Sequence, residues 1–128
     1  MDKRKRPVAR DINQRAFSFA CRIISLYQFL TKQSCTGEII GRQLLLSGTA
    51  IGANLEEAAG GQSRADFISK CNIALKKAGE TLYWLRLLKE SKVISSERIS
   101  YLIKESDELV AIITTIVKNS RTVNKKSV

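Results

Sequence analysis

Apolar residues recur along this chain at alternating steps of three and four, the spacing that places side chains on one face of an α-helix. Ile12, Ala16, Phe19, Ile23, Leu26 and Leu30 form the first series. Leu44, Gly48, Ile51, Leu55 and Ala58 form the second, and Phe67, Cys71, Ala74, Ala78, Thr81, Leu85 and Leu88 the third. A fourth runs through Ile99, Leu102, Ser106, Leu109, Ile113 and Ile116. Other apolar residues flank these seams, among them Ile24, Tyr27, Leu75, Leu82, Ile103, Val110 and Val117. Each stripe is therefore wider than a two-stranded coiled coil requires and suits a bundle core. The breaks are short, at Thr31–Gly37, Gly60–Ser63 and Ser91–Ser96. Ser63 is placed to cap the third helix, with Asp66 in its first turn, and Ser95 or Ser96 to cap the fourth. Short connections between long helices favour antiparallel neighbours. The pattern predicts an all-α, up-down-up-down antiparallel four-helix bundle over residues 11–120, with mobile basic tails at 1–10 and 121–128.

A second series lies beside the seam of the third helix: Asp66, Lys70, Ile73, Lys77, Glu80 and Trp84, again at steps of four and three. The second helix has a small and polar counterpart in Ser47, Ala50, Asn54, Glu57 and Gly61. Two stripes per helix imply two packing partners, one within the bundle and one in another copy of the chain. The alternative is a polar rim within a single chain. An Asp66–Lys70 pair at i,i+4 is expected, worth a few tenths of a kcal/mol when exposed, on the order of 0.3. The run SGTAIGAN (Ser47–Asn54) invites a phosphate-loop reading, but no lysine follows Gly52. Helical phase holds from Leu44 to Ala58, so these glycines lie inside a helix, where each costs about 1 kcal/mol against alanine. A close helix–helix approach at Gly48 would offset that cost.

Composition narrows the chemistry. The 128 residues are 44% hydrophobic, enough for one domain and too apolar for a disordered chain. Histidine is absent, which removes Ser-His-Asp and Cys-His catalysis, imidazole zinc sites and the Glu-x-x-His di-iron motif. Cys21, Cys35 and Cys71 form neither a C-x-x-C nor an even set. Cys21 and Cys71 fall in apolar-periodic segments and are expected to be buried, in a reducing cytoplasm. No stretch reaches the roughly 18 apolar residues of a membrane span. The opening MDKRKRPVARD resembles the charged start of a signal peptide, but Arg15 and Arg22 interrupt the apolar segment that comes after it. Glu57 and Glu80, with Asp66 and Lys70, are the candidates for a paired-carboxylate site, without a nucleophile–base unit beside them. No enzyme activity, metal or cofactor is expected.

The formal charge of +10 is unevenly placed. Residues 1–10 hold five basic groups and one acid, and residues 118–128 hold four basic groups and no acid, so the two ends carry a net +8. The body between them is nearly neutral. Polyanion binding is one reason for such a design, and solubility is the other. The candidate phosphate contacts are Lys3, Arg4, Lys5, Arg6, Arg10, Lys118, Arg121, Lys125 and Lys126. Arg15 and Arg22, seven apart on the first helix, would extend that patch.

The segment RQLLLSGTAIGANLEEAAGGQSRADFISKCNIALKKAGETLYWLRLL (Arg42–Leu88) resembles the 23S rRNA intervening-sequence proteins, also called the S23 ribosomal family. The family pattern is approximately L-x-x-S-G-T-S-I-G-A-N-x-x-E-A, then D-F-I-x-K, I-A-x-K-E-A and E-T-x-Y-W-L. Ser47–Thr49, Ile51–Asn54, Glu57 and Ala58 match it, as do Asp66–Ile68, Lys70, Ile73, Ala74, Lys76, Ala78, Glu80, Thr81 and Tyr83–Leu85. Ala50, Lys77 and Gly79 depart from it, and Lys77 replaces an acid. With a family-like start at Arg15, Phe17, Phe19 and Ala20, the likeness covers about residues 10–115. It implies an up-down four-helix bundle and homopentamers, without an assigned activity. A more distant likeness is to the accessory protein of diversity-generating retroelements, a basic pentameric barrel that binds nucleic acid and a reverse transcriptase. The expected function is non-enzymatic, oligomeric binding of nucleic acid, structured RNA foremost, through basic termini. Low aromatic content, 6%, predicts little sequence preference. The alternative is a protein-interaction scaffold, such as an accessory subunit for a reverse transcriptase or another RNA enzyme.

Overall fold

The computed structural model describes the backbone of residues 8–126 and the side chains of residues 11–122. Four helices account for almost all of it: α1 (Val8–Leu30), α2 (Cys35–Ala59), α3 (Arg64–Glu90) and α4 (Ser96–Lys126). No strand occurs among the described residues. Around the core, α2 packs on α1 and α3, and α4 packs on α3 and much more sparingly on α1.

Local chemistry sets the boundaries. Ser34, in extended conformation, accepts a hydrogen bond from the Gly37 N–H at 2.9 Å and starts α2. Ser63 does the same for α3 through the Asp66 N–H at 3.1 Å, as the sequence predicts, and satisfies a donor that the first helical turn leaves unpaired. At the end of α3 the N–H of Val93 reaches the Leu88 carbonyl and that of Lys92 reaches Lys89. This double closure places Lys92 at φ 60°, the left-handed region that glycine usually fills.

The seams are the core. Ile12, Ala16, Phe19, Ile23, Leu26 and Leu30 of α1 are all buried, as are Leu44, Ile51, Leu55 and Ala58 of α2. In α4 the buried position after Ile113 is Val117, not the expected Ile116, which packs half-buried against the core. A step of four from Ile113 keeps the phase of the helix better there than a step of three. Phe67, the first member of the α3 series, is likewise half-buried beside that end of the core.

Close approach decides where α1 and α2 meet. A Cβ added to Gly48 would lie 3.0 Å from both γ-carbons of Ile23, a side chain with no exposed surface. Gly52 faces Ala16, and Gly41 faces Tyr27 and Leu30. The close helix–helix approach expected at Gly48 is met. Between α2 and α3 the buried hydroxyls of Ser47 and Thr81 hydrogen-bond at 2.9 Å, and Thr81 Oγ1 also reaches the Lys77 carbonyl at 2.7 Å. Between α3 and α4, Ser106 Oγ lies 3.4 Å from the Ala78 carbonyl. No buried side-chain polar atom lacks a partner among the described residues. At the end of the molecule where α1 gives way to α2, a Cβ on Gly37 would touch Val93 at 3.5 Å, so the α1–α2 and α3–α4 turns are neighbours.

Helix α4 continues to Lys126, nine positions past Val117, the last buried residue among the described side chains. The segment expected to leave the bundle at 121 is therefore still helical, and α1 already begins at Val8. A helix can run on in this way when i,i+4 backbone bonds continue without a proline or glycine to stop them, and neither occurs after Gly79.

Candidate nucleic-acid interface

Of the expected phosphate contacts, Lys3, Arg4, Lys5, Arg6 and the side chains of Arg10, Lys125 and Lys126 lie outside the described residues. Lys118 and Arg121 are exposed one turn apart on α4. With Asn72, Leu75, Thr114, Val117 and Thr122 they line a shallow groove of about 380 Å³ between α3 and α4, without a carboxylate. Ile12, near the start of α1, and Ile116, in the last core turn of α4, line one small cleft with Leu55, Phe67 and Cys71.

Arg15 does not extend that patch freely. Its guanidinium donates to both carboxylate oxygens of Glu105, at 2.6 and 3.1 Å, and to Glu108 at 2.9 Å. These hydrogen bonds, Glu105 foremost, hold its pKa above the ordinary arginine value. Two acids on α4 thus answer one cation on α1, so Arg15 ties helices together and adds no net positive charge.

Arg22 is different. It has no carboxylate partner among the described residues, and its guanidinium carbon lies 4.4 Å from the centre of the Tyr101 ring. Arg98 stacks in the same way on Phe29, at 4.2 Å. Both contacts bridge α1 and α4, beside a groove of about 620 Å³ between the two helices. Phe17, Cys21, Arg22, Arg98 and Tyr101 are among its lining residues. Cys21 is exposed there, contrary to the expectation of a buried thiol. It sits off the α1 seam, two residues past Phe19 and two before Ile23, on the outward side of the helix. Cys71 is buried as expected, and burial raises its pKa. Arg98 and Tyr101 are absent from the sequence-derived site. The available signal is an aromatic residue off the α4 seam, one turn from an arginine.

The polar stripe on α2 and α3 is resolved into two parts. Ser47 is buried against Thr81 and belongs to the interhelical reading. The remainder is a partly exposed surface. Lys70 Nζ pairs with Glu57 at 3.1 Å across the two helices, in place of the expected Asp66–Lys70 pair. Asp66 stays in the first turn of α3, beside the cap. Asn54 donates to the Ala50 carbonyl at 2.8 Å. Trp84 Nε1 donates to Glu80 at 3.2 Å, and Lys77 lies 3.7 Å from the same carboxylate group. Glu57 and Glu80 thus take separate partners, Lys70 for the first and Trp84 and Lys77 for the second. Ile39 and Leu46 on α2 and Ile73, Tyr83 and Leu87 on α3 are exposed apolar residues; Leu46 is 63% exposed.

No group of His, Cys, Asp or Glu among the described residues could hold a metal ion, and none of their helices is long and apolar enough to cross a membrane. A four-helix protein with cationic ends and a mixed apolar and ion-paired flank is the class that these features define. The chain belongs to the 23S rRNA-intervening sequence protein family, whose model matches residues 9–115. It is similar to the crystal structure of a protein of unknown function from the S23 ribosomal protein family of Bacteroides thetaiotaomicron. The two are 42% identical with a TM-score of 0.78, over 86% of this chain and 97% of that one. No curated protein matches the chain.

Proposed function

We propose that this protein is a non-enzymatic, oligomeric nucleic-acid-binding bundle that grips structured RNA through its basic ends. The observation that carries the reading is the meeting of Ile12 and Ile116 in one cleft. It brings the start of α1 and the last core turn of α4 to one end of the core, so the segments holding a net +8 leave the core side by side. The order of contacts supports an up-down-up-down bundle: Gly41, Gly48 and Gly52 meet Leu30, Ile23 and Ala16, and Ser47 and Glu57 meet Thr81 and Lys70. Exposed Ile39, Leu46, Ile73 and Leu87 support burial of the α2–α3 flank against another copy. A pentamer, which the family likeness suggests, would gather five such cationic ends on one particle. Affinity would come from counterion release, with little sequence preference. A bacterial cytoplasm is the setting that this reading assumes.

The exposed α2–α3 flank also supports a second reading, a scaffold for a reverse transcriptase or another RNA enzyme, in which the bundle face matters more than the ends. Deleting residues 1–9 and 121–128 separates the two. Under the first reading the shortened protein loses RNA binding and the steep salt dependence with it; under the second it keeps its protein partner. Light scattering with and without RNA across a salt series measures assembly and binding together. RNA affinity that survives the deletion with an unchanged salt slope overturns the assignment to the termini.

A further inference from the structure

We infer that the groove between α1 and α4 receives an unpaired nucleotide of a single-stranded segment, its base against Tyr101 and its phosphate on Arg22 and Arg98. This rests on the reading of the protein as a nucleic-acid binder and assigns it a second point of contact, away from the termini. Ten residues separate Ile12 from Arg22 on α1, about 15 Å of helix.

Three observations point to this occupant. The first is charge: the groove is lined by two arginines and by no acid. On that face of α4, Glu105 and Glu108 are occupied by Arg15 and do not oppose an incoming anion, and exposed Glu97, one turn before Tyr101, is not among the lining residues. The second is the state of those arginines. Each rests on a ring with no carboxylate partner among the described residues, so its N–H edge is left to donate to a phosphate, and the stacked plane is held in place beforehand. The third is the apolar wall. Tyr101 is 51% exposed and Phe17 is 65% exposed at the same opening, where aromatic faces accept a base without reading its identity. A volume of about 620 Å³ is in the range of small-ligand sites. A base inside a duplex cannot present its face to a ring, so this site selects unpaired segments, whereas the cationic termini serve duplex and single strand alike. The groove is lined by α1 and α4 residues alone and shares none with the exposed α2–α3 flank.

The test uses the full-length protein, a uridine 20-mer and an RNA duplex of equal phosphate number. Y101L, and separately R22Q/R98Q, are expected to weaken binding of the 20-mer about tenfold while duplex affinity stays within about twofold; Y101F restores it. In the unaltered protein, the 20-mer slows alkylation of Cys21, which lines the groove, relative to exposed Cys35. Equal losses on both RNAs, unaltered 20-mer binding, or Cys21 and Cys35 reacting alike with RNA bound overturns the groove but leaves the termini in place. Cys21 unreactive in the free protein, or poly-glutamate competing as well as the 20-mer, also overturns it. Failure to bind either RNA removes the groove and the general reading together.

Discussion

At the scale of single residues, glycine shows how context reverses the sign of one substitution. Gly48 and Gly79 both sit inside helices, where an alanine would gain about 1 kcal/mol from backbone entropy alone. At Gly48 the new methyl meets Ile23, buried and β-branched, which cannot turn away without leaving its rotamer. Overpacking costs roughly 1–3 kcal/mol, so Gly48→Ala is expected to lower stability by about 1 kcal/mol. At Gly79 nothing lies within 4 Å of the added carbon, and Gly79→Ala is expected to raise stability by up to about 1 kcal/mol. Paired urea titrations measure both, and a shift of the two midpoints in the same direction refutes the packing argument. The helical phase of SGTAIGAN is legible in the sequence, and so is the need for a small residue at Gly48. The fate of Arg15 is not, because nothing in a one-dimensional pattern says that Glu105, ninety positions later, lands beside it.

At the scale of elements, boundaries follow caps. Ser63 is recognisable because an acid follows it in the first helical turn, the arrangement that complements the exposed N–H groups and the helix dipole. The end of α3 is harder to read, since Lys92 adopts a conformation for which its side chain gives no signal. A non-glycine residue there carries a penalty of about 1 kcal/mol from contact of its Cβ with the following carbonyl. Lys92→Gly relieves it, though a more flexible unfolded chain returns part of the gain. The expected result is a net stabilisation of about 0.5 kcal/mol, seen as a higher thermal midpoint with an unchanged helical circular dichroism spectrum. A lower midpoint means that the lysine contributes something beyond its backbone. The far end of α4 is a related case. Its charge run suggests a tail, yet backbone hydrogen bonds extend the helix where no breaker intervenes.

For the molecule as a whole, α4 outlasts the core. Past Val117 no side chain is buried among the described residues, and four cations lie beyond it in the sequence. Removing residues 121–128 takes away three of them and is expected to leave the thermal midpoint within about 1 °C, because the described side chains it removes, Arg121 and Thr122, are exposed and cover little apolar surface. The same deletion reduces the dependence of log affinity for RNA on log salt by about 2. Calorimetry and binding titrations check the two halves independently, and a clear fall in the midpoint reveals that the overhang packs against another copy. The four-helix core is almost fully legible because burial follows the 3.6-residue period. The groove between α1 and α4 is not, for its arginines and rings come together only once the register of two distant helices is fixed.

The junction of Gly37 with Val93 has a practical corollary. Two turns stand together at the pole opposite Ile12 and Ile116, so a circular permutant opened at Gln33 would carry its new ends there. The original termini would then be spliced into one closed, positively charged strap. A reporter fused to the relocated ends would sit far from that strap and could signal RNA capture without obstructing it.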